Sequence, residues 1–264
     1  MKRIIFSIFS DSVEKNHQST GEYKTSQFIK YKHLLVQSQK EYALLCGADY
    51  ELFEITENSY DKIQFDKLYK MEELSQHYDE ILYFDLDVVP RTTENFFDAH
   101  DLNTICAYSF AREPNSNTLI RKLKDNDFDS MNVFAKGCCK KSMLLLDNIQ
   151  SDYKVINTGI VGCNKYSLDA LSFSDRFQST YNVYTETIDD NLYPIEISKT
   201  WRPNNEVFIS YMIEKYNIPF TNIGLQWNFI IDNVCPNISA GSKLLHVVHK
   251  DFGKVYEKKA YRFN

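Results

Sequence analysis

The spacing of apolar positions changes repeatedly along the chain. Continuous apolar runs at Arg3–Phe9, Tyr50–Glu54, Glu80–Phe84, Thr104–Tyr108 and Val155–Gly162 predict strands. Between the first two, Phe28, Tyr31, Leu35, Tyr42 and Leu45 recur at steps of three, four or seven, which places them on one face of a long helix. Ser19 and Glu22 have the spacing of a capping box at its start. Leu68, Met71 and Leu74 predict a second helix just before the Glu80 strand. Strand, helix, strand, helix, strand is the pattern of a parallel sheet wrapped by helices. Such sheets bind ligands beyond the carboxyl ends of their strands. After about residue 165 the pattern loosens. Helices are expected at Tyr166–Phe173 and Glu206–Tyr216, a loop at Trp201–Asn205 and a short strand in Leu244–Val248.

Composition narrows the class. A chain of 264 residues suffices for one large domain with a sizeable core. Its 43% hydrophobic and 25% charged residues are ordinary for a soluble protein. A formal net charge of -6 argues against a nucleic-acid partner. The apolar stretch Ile4–Phe9 is too short for a signal peptide and is followed at once by Ser10 and Asp11. No segment approaches the 18 apolar residues of a membrane span. A cytoplasmic location, bacterial or viral, is therefore expected. The six cysteines (46, 106, 138, 139, 163 and 235) show no C-x-x-C spacing and suit reduced, packed thiols.

The segment ILYFDLDVVP, Ile81–Pro90, carries the strongest chemical signal. Asp85 and Asp87 stand where a buried strand would continue. Two carboxylates this close repel, so one should stay protonated unless a cation compensates. Alternate residues of an extended chain point the same way, so the pair would share one divalent ion. A second acidic run, Asp125, Asp127 and Asp129, lacks a preceding strand. It has Ser130 and Lys136 where a calcium loop needs Gly and Glu, and reads as a solvated turn.

Several separated stretches then carry a family resemblance. FDKLYKMEELSQHYDEILYFDLDVVP (Phe65–Pro90) resembles the helix, strand and D-x-D of nucleotide-sugar-dependent glycosyltransferases of GT-A fold. The likeness is strongest to the glycogenin-like and bacterial lipopolysaccharide galactosyltransferase relatives. VINTGIVGCNKYSLDAL (Val155–Leu171) resembles their N-[ST]-G strand and following helix. NNEVFISYMIEKY (Asn204–Tyr216) resembles an acidic helix start, and KLLHVVHKDFGK (Lys243–Lys254) a C-terminal histidine motif. The resemblance implies an α/β fold: a single Rossmann-like domain over 1–264, with a mainly parallel central sheet flanked by helices. Its nucleotide-binding half would be 1–110. The elaborated acceptor-binding half and tail would be 111–264.

The resemblance also implies roles. Asp85, Asp87 and His246 would bind Mn²⁺ or Mg²⁺ bridging the donor diphosphate, with His249 the other candidate ligand in the tail. Ser10 and Asp11 would hold the nucleoside, and Leu86 lies within the same donor motif. Lys67 and Lys254 would contact the donor, with Lys250 a further phosphate contact. Asn157, Thr158 and Gly159 would line the sugar pocket. Glu206 would be the catalytic base of an inverting reaction, whereas a retaining reaction needs no such base; as plain sequence, Glu206 is equally a stabilising acid in a first helical turn. The implied partners are a nucleotide-sugar, a UDP-sugar first, and a saccharide or glycan acceptor. Trp201, Tyr211 and Trp227 are either stacking platforms for that acceptor or core residues.

Two other readings compete. D-x-D-x-V after a strand also fits a haloacid-dehalogenase-like phosphatase, with Asp189 and Asp190 as a later acidic pair. That motif normally closes the first strand, and here two strand-and-helix units precede it. A carbohydrate-binding relative without turnover is the third reading, and intact Asp85, Asp87 and a tail histidine weigh against it.

Overall fold

The structure is a computed structural model that describes residues 1–10, 18–55, 60–110, 133–189, 193–231 and 238–257. Asp11, the Asp125–Asp129 run, Asp190, Cys235 and the Ser19 side chain, with its expected capping box, lie outside the described residues and side chains.

The strands are β1 (Arg3–Ser10), β2 (Asp49–Ile55), β3 (Glu80–Phe84), β4 (Val88–Pro90), β5 (Ile105–Phe110), β6 (Val155–Asn164), β7 (Phe220–Asn222), β8 (Phe229–Ile230) and β9 (Leu244–His246). The helices are α1 (Gln18–Leu45), α2 (Tyr60–Leu74), α3 (Phe96–Ala99), α4 (Val133–Leu146), α5 (Lys165–Leu171), α6 (Phe173–Asp189), α7 (Ile195–Ser198), α8 (Asn205–Lys215) and α9 (Gly253–Tyr256). Two compact units result. One comprises Met1–Tyr108, Thr158–Leu168 and Phe220–Asn264, and the other Ser109–Asn157 and Asp169–Pro219.

The first unit is built on the central sheet, whose order is β2-β1-β3-β6-β5-β7. β1 runs parallel to β2 and to β3, and β5 parallel to β7, while β6 is antiparallel to β3. The mainly parallel sheet is therefore present, with β6 reversed relative to β3. β1 and β3 lie in the sheet interior, which is why they read as unbroken apolar runs. The expected face of α1 is buried through Tyr31, Leu35 and Tyr42 with Phe28 half-buried, but Leu45, the last residue of the helix, is 51% exposed; that of α2 is buried through Leu68, Met71 and Leu74. A second sheet, β4-β9-β8, brings the chain just after Asp87 against the tail, with Val88 opposite His246.

The second unit holds two helices that were not expected from the sequence. α4 buries most of its length, Lys140 and Ser142 included, so no single apolar stripe marks it. Lys140 is fully buried and bonded to Glu214 and Asp152. The helix expected over Tyr166–Phe173 divides into α5 and the longer α6. Ser172, at φ 42°, breaks it, and its hydroxyl bonds the Asp175 carboxylate. α6 was missed although its aromatic stripe, Phe173, Phe177, Tyr181 and Tyr184, falls at helical spacing and packs on Phe208 of α8.

The five described cysteines are buried and free, and burial pushes the Cys106 thiol up to about 11 and the Cys138 thiol up to about 12. They are packing residues, not nucleophiles. Among the described residues no helix is long and apolar enough to cross a membrane.

Candidate functional site

The acidic pair sits in the first unit, directly after β3, at the carboxyl end of the strand. The pair does not lie in an extended segment, as expected, but in a turn: the Val88 amide bonds the Asp85 carbonyl at 2.9 Å. Burial of Leu86 drives the turn. Leu86 is packed with Tyr31, Leu35 and Leu245 in one apolar cluster, so its side chain anchors the loop instead of lining a site. Gln39 of α1 fixes the turn from behind. Its amide donates to the carbonyls of Asp85 (3.2 Å) and Val88 (2.9 Å), while its own carbonyl oxygen accepts from Ser7 and Tyr50. The Asp85 amide bonds the Gly159 carbonyl at 2.7 Å, and the Val247 amide bonds the Asp87 carbonyl at 3.0 Å. These contacts bring β3, β6 and the segment after β9 to one point.

Asp85, Asp87 and His246 offer ligand atoms that all lie within 4.8 Å of one another. His246 Nε2 is 3.7 Å from Asp85 Oδ2 and 3.5 Å from Asp87 Oδ2. Its Nδ1 lies 3.2 Å from the Oδ1 of fully buried Asn228. With Nδ1–H donated there, Nε2 presents its lone pair to the two carboxylates, an arrangement that a shared cation satisfies. Two carboxylates and one imidazole suit Mn²⁺ better than Mg²⁺, which prefers all-oxygen sites. The donor set thus fits a divalent ion. His249 is exposed and not part of the group.

Each carboxylate has an ammonium beside it. Lys67, its side chain 7% exposed, donates to Asp85 Oδ1 at 3.0 Å and to the Thr158 carbonyl at 3.0 Å. Tyr83 donates to the same Oδ1 at 2.5 Å. Lys250 bonds Asp87 Oδ2, and Asp87 is nearly inaccessible. Partial burial pushes the Asp85 carboxyl up, but Lys67, His246, Tyr83 and Lys250 together outweigh it and hold it at about 2, below its ordinary 3.8.

A depressed carboxylate pKa stabilises the fold above the unfolded value, and the contribution is lost as pH falls through the folded one. Asp85 therefore contributes on the order of 2 kcal/mol above about pH 4, declining toward pH 2. In Lys67→Met the Asp85 carboxyl should titrate at higher pH and acid unfolding should begin earlier. A ¹³C-detected titration of the side-chain carboxyl checks this, and an unchanged midpoint would contradict the role given to Lys67.

Gly159 contributes by what it lacks. A Cβ there would lie 2.2 Å from Cε1 and 2.6 Å from Nδ1 of the His246 ring. Only glycine lets β6 pass the imidazole at this distance, so the side of Gly159 where a Cβ would point meets His246 and not open solvent. Gly159→Ala should destabilise by about 1–3 kcal/mol, as overpacking does, and weaken metal binding by displacing the ring. Denaturant unfolding together with Mn²⁺ titration reads both, and wild-type values would refute the close packing.

Ser10 ends β1. Lys254 is partly exposed and pairs with Asp251 at 2.8 Å. Trp227 is buried against Phe96 and His100, and Tyr211 is fully buried and bonded to Asp147, so neither offers a stacking surface. Trp201 is also buried, at 6% exposure.

A separate cluster belongs to the second unit. Asn204 caps α8, accepting from the amides of Glu206 (3.0 Å) and Val207 (3.4 Å). Glu206, in the first turn, is buried. Its Oε1 accepts from Asn157 Nδ2 at 3.0 Å, and its Oε2 from the Lys136 ammonium. Ser210 ties the start of β6 to α8 by accepting from the Ile156 amide and donating to the Glu206 carbonyl. Lys136, Asn228 and Gln39 were not singled out from the sequence pattern, and Lys250 was expected at the donor phosphate and not at Asp87. A lysine or amide carries no sequence signal of its partner.

No protein-family model and no curated protein matches the chain. Solved structures do. A glycosyltransferase involved in the glycosylation of the major capsid of PBCV-1 matches with a TM-score of 0.51 at 13% identity, over 94% of this chain and 95% of that one. Mouse xyloside xylosyltransferase 1 matches at 0.43 and 12% identity, over 94% and 98%, too distant to argue from. The first likeness shows a shared fold, the α/β glycosyltransferase architecture that the sequence resemblance implied.

Proposed function

We propose that the protein transfers a sugar from a nucleotide-sugar, a UDP-sugar, to a hydroxyl group of a saccharide acceptor. The observation that carries this reading is the meeting of Asp85, Asp87 and His246 beyond the end of β3, with Lys67 and Lys250 beside them. A mixed carboxylate–imidazole set with ammoniums alongside suits a divalent cation and the diphosphate it bridges. The shared fold with a solved glycosyltransferase supports the same reading.

Asp85, Asp87 and His246 would hold Mn²⁺, or Mg²⁺. When bound, the ion neutralises charge that grows on the departing nucleoside diphosphate. Lys67 keeps Asp85 ionised and fixed, and Asn228 and Gly159 keep the imidazole facing the carboxylates. Ser10 and Asp11 serve the nucleoside, with Leu86 anchoring the loop beside it. Asn157 serves the donor sugar, and Lys254 is a further phosphate contact. Glu206, held between Lys136 and Asn157, is the base that takes the proton from the acceptor hydroxyl as the new glycosidic bond forms.

Thermal and calorimetric titration with UDP-sugars, with and without Mn²⁺, tests the reading. A specific donor at a hundredfold excess over Kd should stabilise the fold by about 2.7 kcal/mol, and only with the metal present. A stable aspartyl adduct with a phosphate mimic, and no response to any nucleotide-sugar, would favour the phosphatase instead. Saccharide binding without turnover would favour the inactive relative.

A further inference from the structure

The two carboxylates differ in which oxygen their ammonium takes. Lys67 bonds Oδ1 of Asp85, whereas His246 faces Oδ2 of that residue. Lys250 bonds Oδ2 of Asp87, the same oxygen that lies 3.5 Å from His246 Nε2. Lys67 therefore leaves the shared face of the site clear, while Lys250 stands on it.

The backbone of Lys250 is held for this. Its φ is 63°, a left-handed conformation that side chains other than Gly, Asn and Asp seldom adopt and that clusters at functional positions. The turn is closed by the Lys250 amide on the Val247 carbonyl and the Phe252 amide on the Lys250 carbonyl, both at 2.8 Å, and Phe252 is fully buried. The Lys250 ammonium lies 5.7 Å from the centroid of the Phe28 ring of α1.

We infer that Lys250 competes with the metal for Asp87 Oδ2 and couples metal binding to donor binding. In the protein alone it holds the oxygen a cation would need. When nucleotide and cation arrive together, the Lys250 ammonium leaves Asp87 for the diphosphate. The exchange gives the displaced ammonium a new anionic partner, so each ligand strengthens the other by one common factor, as linkage requires. The inference rests on the proposed metal site and adds to it a positioning residue that decides when that site opens.

Mn²⁺ binding measured by electron paramagnetic resonance, without nucleotide and with saturating UDP, tests it on wild type, Lys250→Met and Lys250→Gly. Glycine relieves the left-handed backbone, so at least that variant should fold. In wild type UDP should tighten Mn²⁺ by about 5–150-fold. Both variants should bind Mn²⁺ alone at least about fivefold more tightly than wild type, and the gain from UDP should shrink by a comparable factor. Unchanged or weaker binding of Mn²⁺ alone in the variants, with wild type still binding, would overturn the inference and leave the metal site standing. No Mn²⁺ binding by any form, with or without UDP, would overturn both.

Discussion

Asp87→Asn is expected to lower turnover by more than about 100-fold and to weaken Mn²⁺ binding in parallel. Losing even an outer contact to a metal ligand costs about 10–100-fold, and here the ligand itself loses its charge. The stability effect is also given a sign by the structure. From the sequence alone, removing one of two repelling carboxylates should stabilise the metal-free protein. Asp87 is instead buried against the Lys250 ammonium and 3.5 Å from the His246 imidazole. Asparagine keeps the shape and leaves that ammonium without its anion, so the metal-free variant should lose about 1–3 kcal/mol. The Lys250 side chain is 20% exposed and can turn toward water, which holds the loss below that of a fully buried pair. Steady-state kinetics, Mn²⁺ titration and urea unfolding read the three effects. Wild-type turnover with donor and metal present would remove the site assignment, and a stabilised metal-free variant would contradict the pairing.

Glu206→Gln should lower kcat by about 10²–10⁴ while UDP binding stays near wild type. The amide cannot take a proton from an acceptor hydroxyl. It also fits its pocket poorly, because Glu206 accepts from donors on both sides, Lys136 and the Asn157 amide. Whichever way a glutamine amide turns, its NH₂ faces one of them. A loss of about 1–3 kcal/mol in stability should accompany the loss of rate. Measuring kcat beside the UDP dissociation constant separates the base from a residue that only binds donor. A product that keeps the anomeric configuration of the donor would exclude the base, and the kinetic loss would then report binding of a hydroxyl.

Much of the first unit was legible because its signals are local. The runs of β1 and β3 sit in the sheet interior, so burial on both faces writes itself as continuous hydrophobicity. Tyr31, Leu35 and Tyr42 mark α1 because one face meets the core and the other meets water. The second unit was harder. α4 is buried nearly all round, so it shows no clean helical stripe, whereas α6 carries one, Phe173, Phe177, Tyr181 and Tyr184, that was legible and passed over. The acidic pair was visible as two charges ending an apolar run, yet its geometry was misjudged. A pleated strand was expected, and burial of Leu86 makes a turn instead.

The sequence by itself determined the alternating α/β order, the position of Asp85 and Asp87 after β3, and a histidine closing the short strand β9. Each follows from residue type and spacing within a few neighbours, where backbone period and burial act directly. Only the tertiary structure decided how the carboxylates are neutralised. Lys250 reaches Asp87 across 163 residues, and Lys67 reaches Thr158 across 91. It also decided that Asn228 orients His246 and that Gly159 must lack a side chain. Nothing in the spacing of a lysine, an asparagine or a glycine records such a partner. These contacts form because burial of the β3, β6 and β9 segments packs distant stretches together, and a buried charge must then find whatever counter-charge that packing brings within reach.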